Sequence, residues 1–426
     1  MSKKIDIIQL FEEVKVDASW AFADKTRKET GYLTHNYHRY PAKFIPQIVS
    51  RLVNKYTKVG DLVVDPFGGC GTTATESKAS GRSSIAVDIN PVAVLITKVK
   101  VTPIKPLKLE GTFIDLKNKL NSYNKKDVRI LKHERIDYWF KSEQKQKLAF
   151  ILSEINKIKN KDARDLFCCG FSNILKTCSI WLQKSNKPTR DLKKKMFNPF
   201  DVFYRQIKMM IKGNTQFYNL LKEKGYLKVP VQILCTDAKK IPIKNNLANL
   251  IITSPPYVTS YEYADLHQLT ALWFKYTNDL SNFRKRFIGT SRNGKDKKIE
   301  MNSYIAEEIN SQLEKQKKKL AREVAIYFTE MNQCFKEMKR ILKKDGRVCI
   351  VIGNTALKGV KILNAEVFVE QMLNMGFKID DIIKREIPSK NLPSMRDKKT
   401  GRFAKATDKK KVFAYPTEYI LIMQKI

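Results

Sequence analysis

Two short segments of this chain combine residue types suited to chemistry on a flat, amine-bearing ring. The first is Ser254-Pro255-Pro256-Tyr257, directly after the apolar run Leu250-Ile251-Ile252. Consecutive prolines hold the backbone extended and carry no N–H, so the carbonyls of Ser254 and Pro255 and the serine hydroxyl are left to accept hydrogen bonds from a ligand. The aromatic plate beside them can stack on a planar partner. The alternative is a strand closing on an ordinary Pro-Pro turn with a core tyrosine.

The second segment is Asp65-Pro66-Phe67-Gly68-Gly69-Cys70-Gly71-Thr72-Thr73, entered from Leu62-Val63-Val64. A strand ending on an acidic residue, then a glycine-rich turn into a helix, suits a nucleotide-like ligand. Gly68, Gly69 and Gly71 allow the backbone to come close where a Cβ would collide. The spacing departs from G-x-x-x-x-G-K-[ST], which argues against a phosphate loop for ATP, and from G-x-G-x-x-G, which leaves a dinucleotide site as second choice. Asp88 follows Gly69 by 19 residues at the end of the next strand, placed either for ribose hydroxyls or as a helix cap ahead of Pro91. Asp237 closes a third strand, in reach of an adenine amine.

The elements that must carry these segments read as an α/β sheet. Asp61–Asp65 and Ser84–Asp88 are strands, with a helix through Glu76 and Ala79 between them and another from Pro91 after them. The strand pattern lapses from 105 to 230, where 29 basic and 12 acidic residues give a net charge of +17 and helical periodicity dominates. It resumes at Val231–Cys235, Leu250–Ile252, Gly346–Ile352, Phe377–Ile383 and Glu418–Met423. Three parts follow: 1–104 as N-terminal segment and cofactor half, 105–230 as a mostly helical basic insertion, and 231–426 as catalytic half. Within the last, 281–300 reads as a mobile loop and 384–411 as a second basic loop.

At 426 residues and 42% hydrophobic the chain can bury a substantial core. Its formal net charge of +38, from 81 basic and 43 acidic residues, is costly in self-repulsion unless a polyanion is the partner; codon bias toward lysine is the alternative. Seven cysteines without C-x-x-C spacing and four scattered histidines point to reduced thiols and no metal site. No apolar run approaches a membrane span, and the N-terminus lacks a secretory core, so the expectation is a soluble intracellular protein.

Asp65-Pro66-Phe67-x-Gly-x-Gly-Thr resembles the S-adenosylmethionine signature of amino-methylating DNA methyltransferases of bacterial restriction-modification systems. His38-Arg39-Tyr40-Pro41-Ala42-Lys43-Phe44 is similar to their cofactor-contacting motif, Asp88-Ile89-Asn90-Pro91 to their ribose-holding segment, and Ser254–Tyr257 to their catalytic tetrad. The resemblance spans roughly 35–104 and 231–280, more weakly to 426. It implies a Rossmann-like class I methyltransferase fold with a seven-stranded mixed sheet, and S-adenosyl-L-methionine as cofactor. It assigns Tyr40, Pro41, Lys43, Phe44, Asp65, Phe67, Gly69, Gly71, Thr72, Thr73, Asp88 and Asp237 to the cofactor, and Ser254, Pro255, Pro256 and Tyr257 to catalysis on a base flipped out of duplex DNA.

A serine opening the tetrad is associated in that family with cytosine N4, and Asp or Asn with adenine N6, which leaves adenine as the alternative. Carbon methylation needs a thiolate in a Pro-Cys dipeptide, and this chain has none. An RNA base-amine methyltransferase is the more distant alternative. Lys184, Lys187, Arg190, Lys193 and Lys194 cluster near Pro188 as candidate DNA contacts, against a solvated loop; Lys390 and Arg396 come next, and Arg284-Lys285-Arg286 third. Asp265, His267 and Gly353-Asn354 are candidates to touch the target nucleotide. A prokaryotic, nucleoid-associated cytoplasmic protein with a separately encoded restriction endonuclease completes the expectation.

Overall fold

The computed structural model describes residues 6–41, 43, 45–124, 133–185, 187–258, 263–290, 298–388, 395–397, 407, 411–413 and 417–426. Seven strands form the central sheet: β1 (Leu62–Asp65), β2 (Ser83–Val87), β3 (Val231–Leu234), β4 (Ala248–Thr253), β5 (Leu342–Ile352), β8 (Phe377–Glu386) and β11 (Thr417–Lys425). Two small hairpins pair β6 (Thr355–Leu357) with β7 (Val360–Ile362) and β9 (Met395–Asp397) with β10 (Lys411–Phe413).

The sheet order is β3-β2-β1-β4-β5-β11-β8, with β11 antiparallel to both neighbours and the remaining pairs parallel. This is the seven-stranded mixed sheet that the resemblance to class I methyltransferases implies. The order reverses at β1, and the carboxyl ends of β1, β2 and β4 therefore open one crevice. Continuous apolar runs such as Leu250-Ile251-Ile252 suit a strand covered on both faces. One face packs on α13 (Tyr304–Ile341) and α14 (Asn364–Leu373), and the other on α2 (Pro46–Tyr56). The long α13 is broken at Lys317, whose φ of −164° and ψ of 98° are extended.

The first half of the sheet alternates with α3 (Thr72–Ala79) and α4 (Pro91–Val101), after α1 (Ile7–Glu13) at the N-terminus. Residues 105–230 fold as α5 (Pro106–Asn121), α6 (Glu134–Trp139), α7 (Ser142–Asn156), α8 (Lys161–Leu175) and α9 (Pro199–Glu223). Proline opens α2, α4, α5 and α9, where its missing N–H costs no intrahelical bond. The helices share a core with α4, centred on Trp139 stacked on Trp181 at 5.0 Å. α10 (Tyr263–Leu266), α11 (Gln268–Trp273) and α12 (Leu280–Lys285) complete the fold after β4.

The expected mobile loop at 281–300 is corrected in its first part. Asp279 accepts from the amides of Ser281 and Asn282, and Phe283 is buried, which together hold α12. Among the described residues no helix is long and apolar enough to cross a membrane.

Candidate active site

The cleft at the carboxyl ends of β1, β2 and β4 encloses about 870 Å³, including its open mouth. Tyr40, Lys43, Asp65, Phe67, Gly69, Thr72, Asp88 and Asp237 line it together with Ser254 and Pro256. Two segments separated by nearly the whole first half of the chain thus share one cavity.

At the cofactor end the glycine turn is fixed by its own neighbours. Gly68 N–H donates to the Val87 carbonyl at 2.7 Å, and Gly69 N–H to Asp88 Oδ2 at 2.8 Å. Asn90 N–H donates to the other Asp88 oxygen at 2.8 Å, and the Asn90 side chain caps α4. Carbonyls of the turn are taken by Thr97 Oγ1, on Gly69, and by the buried Lys100 Nζ, on Cys70 at 2.7 Å. Burial lowers the Lys100 ammonium to about 8. Gly71 has φ +72°, and a Cβ there would meet Thr97 at 2.8 Å. Gly69, at φ +50°, would bring a Cβ to 3.4 Å from the Tyr40 ring. The backbone therefore lies bare to the cleft floor.

Asp65 and Asp88 are both pushed up to about 6 by burial, against hydrogen bonds that favour their charge: to Asp65 from Thr253 Oγ1 at 2.7 Å and Phe67 N–H at 3.1 Å, and to Asp88 from Asn90 and Gly69. α3 begins at Gly71 without a side-chain cap, so its first-turn amides can meet the anionic end of a ligand. Asp237 faces the cleft while accepting from the Lys239 amide at 2.9 Å. The cradle of bare glycine backbone and acidic acceptors at two strand ends fits a nucleoside with a charged tail. Gly71 and Thr73 lie behind the lining, Thr73 reaching the Ile252 carbonyl at 3.5 Å. Pro41 lies beside the lining residue Tyr40, and Phe44 lies outside the described residues.

At the acceptor end β4 delivers the tetrapeptide. Ser254 and Pro256 face the cleft, Pro255 is buried and Tyr257 half-buried. Neither the Ser254 hydroxyl nor the carbonyls of Ser254 and Pro255 has a hydrogen-bond donor among the described residues, whereas Tyr327 Oη donates to Pro256 O at 2.9 Å. The Tyr257 hydroxyl lies 3.5 Å from Glu418 Oε2, and Glu418 is ion-paired with the buried Arg385. Arg385 also donates to the carbonyls of Trp20 and Ala21. Burial raises the Tyr257 hydroxyl well above its ordinary range, so it stays neutral.

The lining also takes in Tyr263, stacked on Tyr40 at 5.9 Å, Arg286 of the basic triplet, and Phe287 and Ile288 after α12, of which only the last two had no distinctive signal in the sequence. Arg286 reaches the Ile89 carbonyl at 3.3 Å, so one member of the third-ranked basic triplet borders the cofactor end. Arg284 is instead ion-paired with Asp265. His267 is buried, accepts from Asn90 Nδ2 at 2.8 Å, and is lowered to about 3 by burial, so it carries no charge for a phosphate. Asn354 donates to both oxygens of Glu366 and accepts from the Ala365 amide, which makes it part of the α14 start rather than a substrate contact.

Of the candidate DNA contacts, Lys184, Lys187, Arg190 and Lys193 are exposed, and Arg190 lies 4.1 Å over the Tyr138 ring. Lys194 differs. Its ammonium donates to the carbonyls of Lys176, Ser179 and Trp181 at 2.7–2.9 Å, and burial lowers it to about 8. An ammonium has three donors, and these are spent. Lys390 lies outside the described residues, and only the backbone of Arg396, in β9, is described. No group of three or more potential metal ligands occurs among the described residues.

The model of the DNA methylase family (N6/N4 type) matches residues 6–99 and 248–426, leaving out the whole helical block. The Type II methyltransferase M.MvaI of Kocuria varians is 28% identical over 398 residues, 86% of each chain. The Type II methyltransferase M.BsoBI of Geobacillus stearothermophilus is 22% identical over 392 residues, 76% of this chain and 75% of its own. Among solved structures, a TehB-like SAM-dependent methyltransferase from Corynebacterium glutamicum covers 89% of this chain and 87% of its own, with 7% identity and a TM-score of 0.30. That likeness is too loose to add to the strand order.

Proposed function

Since the chain belongs to the DNA methylase family of N6 and N4 enzymes, with S-adenosylmethionine as cofactor, we propose that it methylates the N4 amine of cytosine at a specific site in duplex DNA. The observation that carries this reading is the tetrapeptide: Ser254 and Pro256 open into the same cleft as Asp65 and Asp88, with acceptors left over for an amine. Asp88 and Asp237 would hold the nucleoside hydroxyls and amine of the cofactor, and the start of α3 its carboxylate. The cofactor supplies an electrophilic methyl group on a sulfonium.

An exocyclic amine is a poor nucleophile because its lone pair is delocalised into the ring. Acceptors at Ser254 Oγ and at the carbonyls of Ser254 and Pro255 bind the amino hydrogens and favour a tetrahedral nitrogen. They are fixed dipoles that need no reorganisation during reaction. Tyr257 supplies the face on which the flipped base stacks. The serine at 254 favours cytosine; a hydroxyl and a carboxylate can both accept an amino hydrogen, so adenine N6 is the second reading.

Residues 105–230 serve as target-recognition region. The family match omits 100–247, and a segment that distinguishes one target from another is where enzymes of common chemistry must differ. Lys184, Lys187, Arg190 and Lys193 would meet phosphates there. Relatives named as Type II methyltransferases support a place in a restriction-modification system, beside a separate endonuclease, at the chromosome of a prokaryotic cell.

The test is methyl transfer from labelled S-adenosylmethionine to duplex DNA and to tRNA, followed by mass spectrometry of the nucleosides. N4-methylcytosine is expected. N6-methyladenine would select the second reading, and label in tRNA with none in DNA would overturn both.

A further inference from the structure

We propose that Tyr327, on α13 and 71 residues beyond Pro256, is the positioning residue that sets the acceptor carbonyls of Ser254 and Pro255; the proposal rests on the reading of the tetrapeptide given above. Pro255 and Pro256 carry no N–H, so they cannot anchor this stretch to the fold through donors of their own. A carbonyl can hold it, at the cost of one of the two lone pairs that carbonyl offers a substrate. Tyr327 resolves that conflict by taking the third carbonyl. Its hydroxyl donates to Pro256 O at 2.9 Å, and the two carbonyls before it are left without a donor among the described residues, with Ser254 at the cleft lining.

The anchor is rigid. Tyr327 is fully buried, stacked on Phe368 at 6.4 Å and against Phe328 at 5.3 Å, in the core between α13 and the sheet. Gly289 lies beside the anchor. Its φ is +76°, which favours glycine, and a Cβ there would lie in ordinary contact with the Tyr327 ring at 3.4 Å and the Tyr257 carbonyl at 3.5 Å, so this backbone borders both. On the other side, Thr253 is tied to Asp65 at 2.7 Å. Ser254 and Pro255 are thus suspended between two fixed points, one on the cofactor strand and one on α13. A misplacement of about 1 Å at such a site can cost roughly 100-fold in rate.

Tyr327→Phe removes the hydroxyl and keeps the ring. The expected result is a fall in kcat of roughly 10- to 100-fold with cofactor Kd and DNA KM unchanged and only the small drop in melting temperature that one lost hydrogen bond brings. Fluorescence of 2-aminopurine at the target position should still report flipping, because the defect lies after it. Met338→Ala, about three turns farther along α13 in the same core and away from the anchor, should lower the melting temperature and keep kcat. An unchanged kcat in Tyr327→Phe, or losses in both variants that track stability, overturns the proposal. A wild-type protein that transfers no methyl group to DNA overturns the reading of the tetrapeptide instead, before any variant is made, and the proposal falls with it.

Discussion

The two ends of the cleft are built on opposite plans. The cofactor end is local: Asp65, the glycine turn, Asp88 and Asn90 lie within 26 residues and hydrogen-bond chiefly to one another. The acceptor end is assembled from afar, with Pro256 held by Tyr327 and Tyr257 facing Glu418 at separations of 71 and 161 residues. A ligand that arrives first and binds by shape can be held by a self-contained turn. Carbonyls that must stay unbonded until a base arrives need neighbours that hold them without using them. The difference teaches that binding and chemistry in this cleft are separately supported, and variants should be able to uncouple them.

The largest effect should come from Tyr257→Ala. Base–aromatic stacking is worth about 1–3 kcal/mol, so turnover should fall by roughly 10- to 100-fold or more, while calorimetry finds cofactor affinity unchanged. Equal losses in both would mean that the tyrosine belongs to the cofactor end and would break the comparison. Gly71→Ala is the counterpart on the other side. A Cβ at φ +72° and 2.8 Å from Thr97 should cost about 1–3 kcal/mol of stability, read as a lower unfolding midpoint, with weaker cofactor binding and little change in kcat at saturating cofactor.

Asp88→Asn should weaken cofactor binding about tenfold, the loss of a charge-assisted acceptor. It also sharpens the comparison through pH. The folded-state carboxyls of Asp65 and Asp88 stand near 6 against an ordinary 3.8, because burial disfavours their charge. A folded pKa above the unfolded one means that the empty protein holds these protons more tightly. Both groups therefore oppose folding above about pH 6, and that opposition is relieved as pH falls toward 4. Cofactor affinity runs the other way, since the ionised carboxylate is the stronger acceptor: it should weaken as pH falls through 6. Titration calorimetry at pH 7.5, 6.5 and 5.5 should give a shallower dependence for the Asn variant.

The contrast also explains what could be read in advance. The strands, the β-α-β-α start and the helix opening at Pro91 follow from local patterns, and so does the glycine turn, whose partners lie within about thirty residues. Tyr327 carried no signal, because a tyrosine in an amphipathic helix reads as core and its hydroxyl's target is a tertiary fact. Arg385 and Glu418, on neighbouring antiparallel strands, gave only the alternation of a sheet. α12 was hidden for another reason: six residues are too few to show a helical period. Asn354 read as a cleft residue because its strand ends there, yet its amide is consumed by Glu366.

The smallest effects lie in the basic run, where Lys187 and Lys194 look interchangeable in sequence and are opposites in the fold. Lys187 is exposed, and Lys194 is spent on three carbonyls. If the run meets DNA, each phosphate contact contributes about 0.9 to the slope of log affinity against log salt concentration. Lys187→Met should reduce that slope by about one unit and leave the melting temperature alone. Lys194→Met leaves three carbonyls without their donor, so it should lower the melting temperature and keep the slope. A slope unchanged from the wild type in both variants would place the phosphate contacts elsewhere. An equal loss of slope in both would mean that Lys194 leaves its carbonyls for DNA, which the three short bonds to a half-buried ammonium argue against.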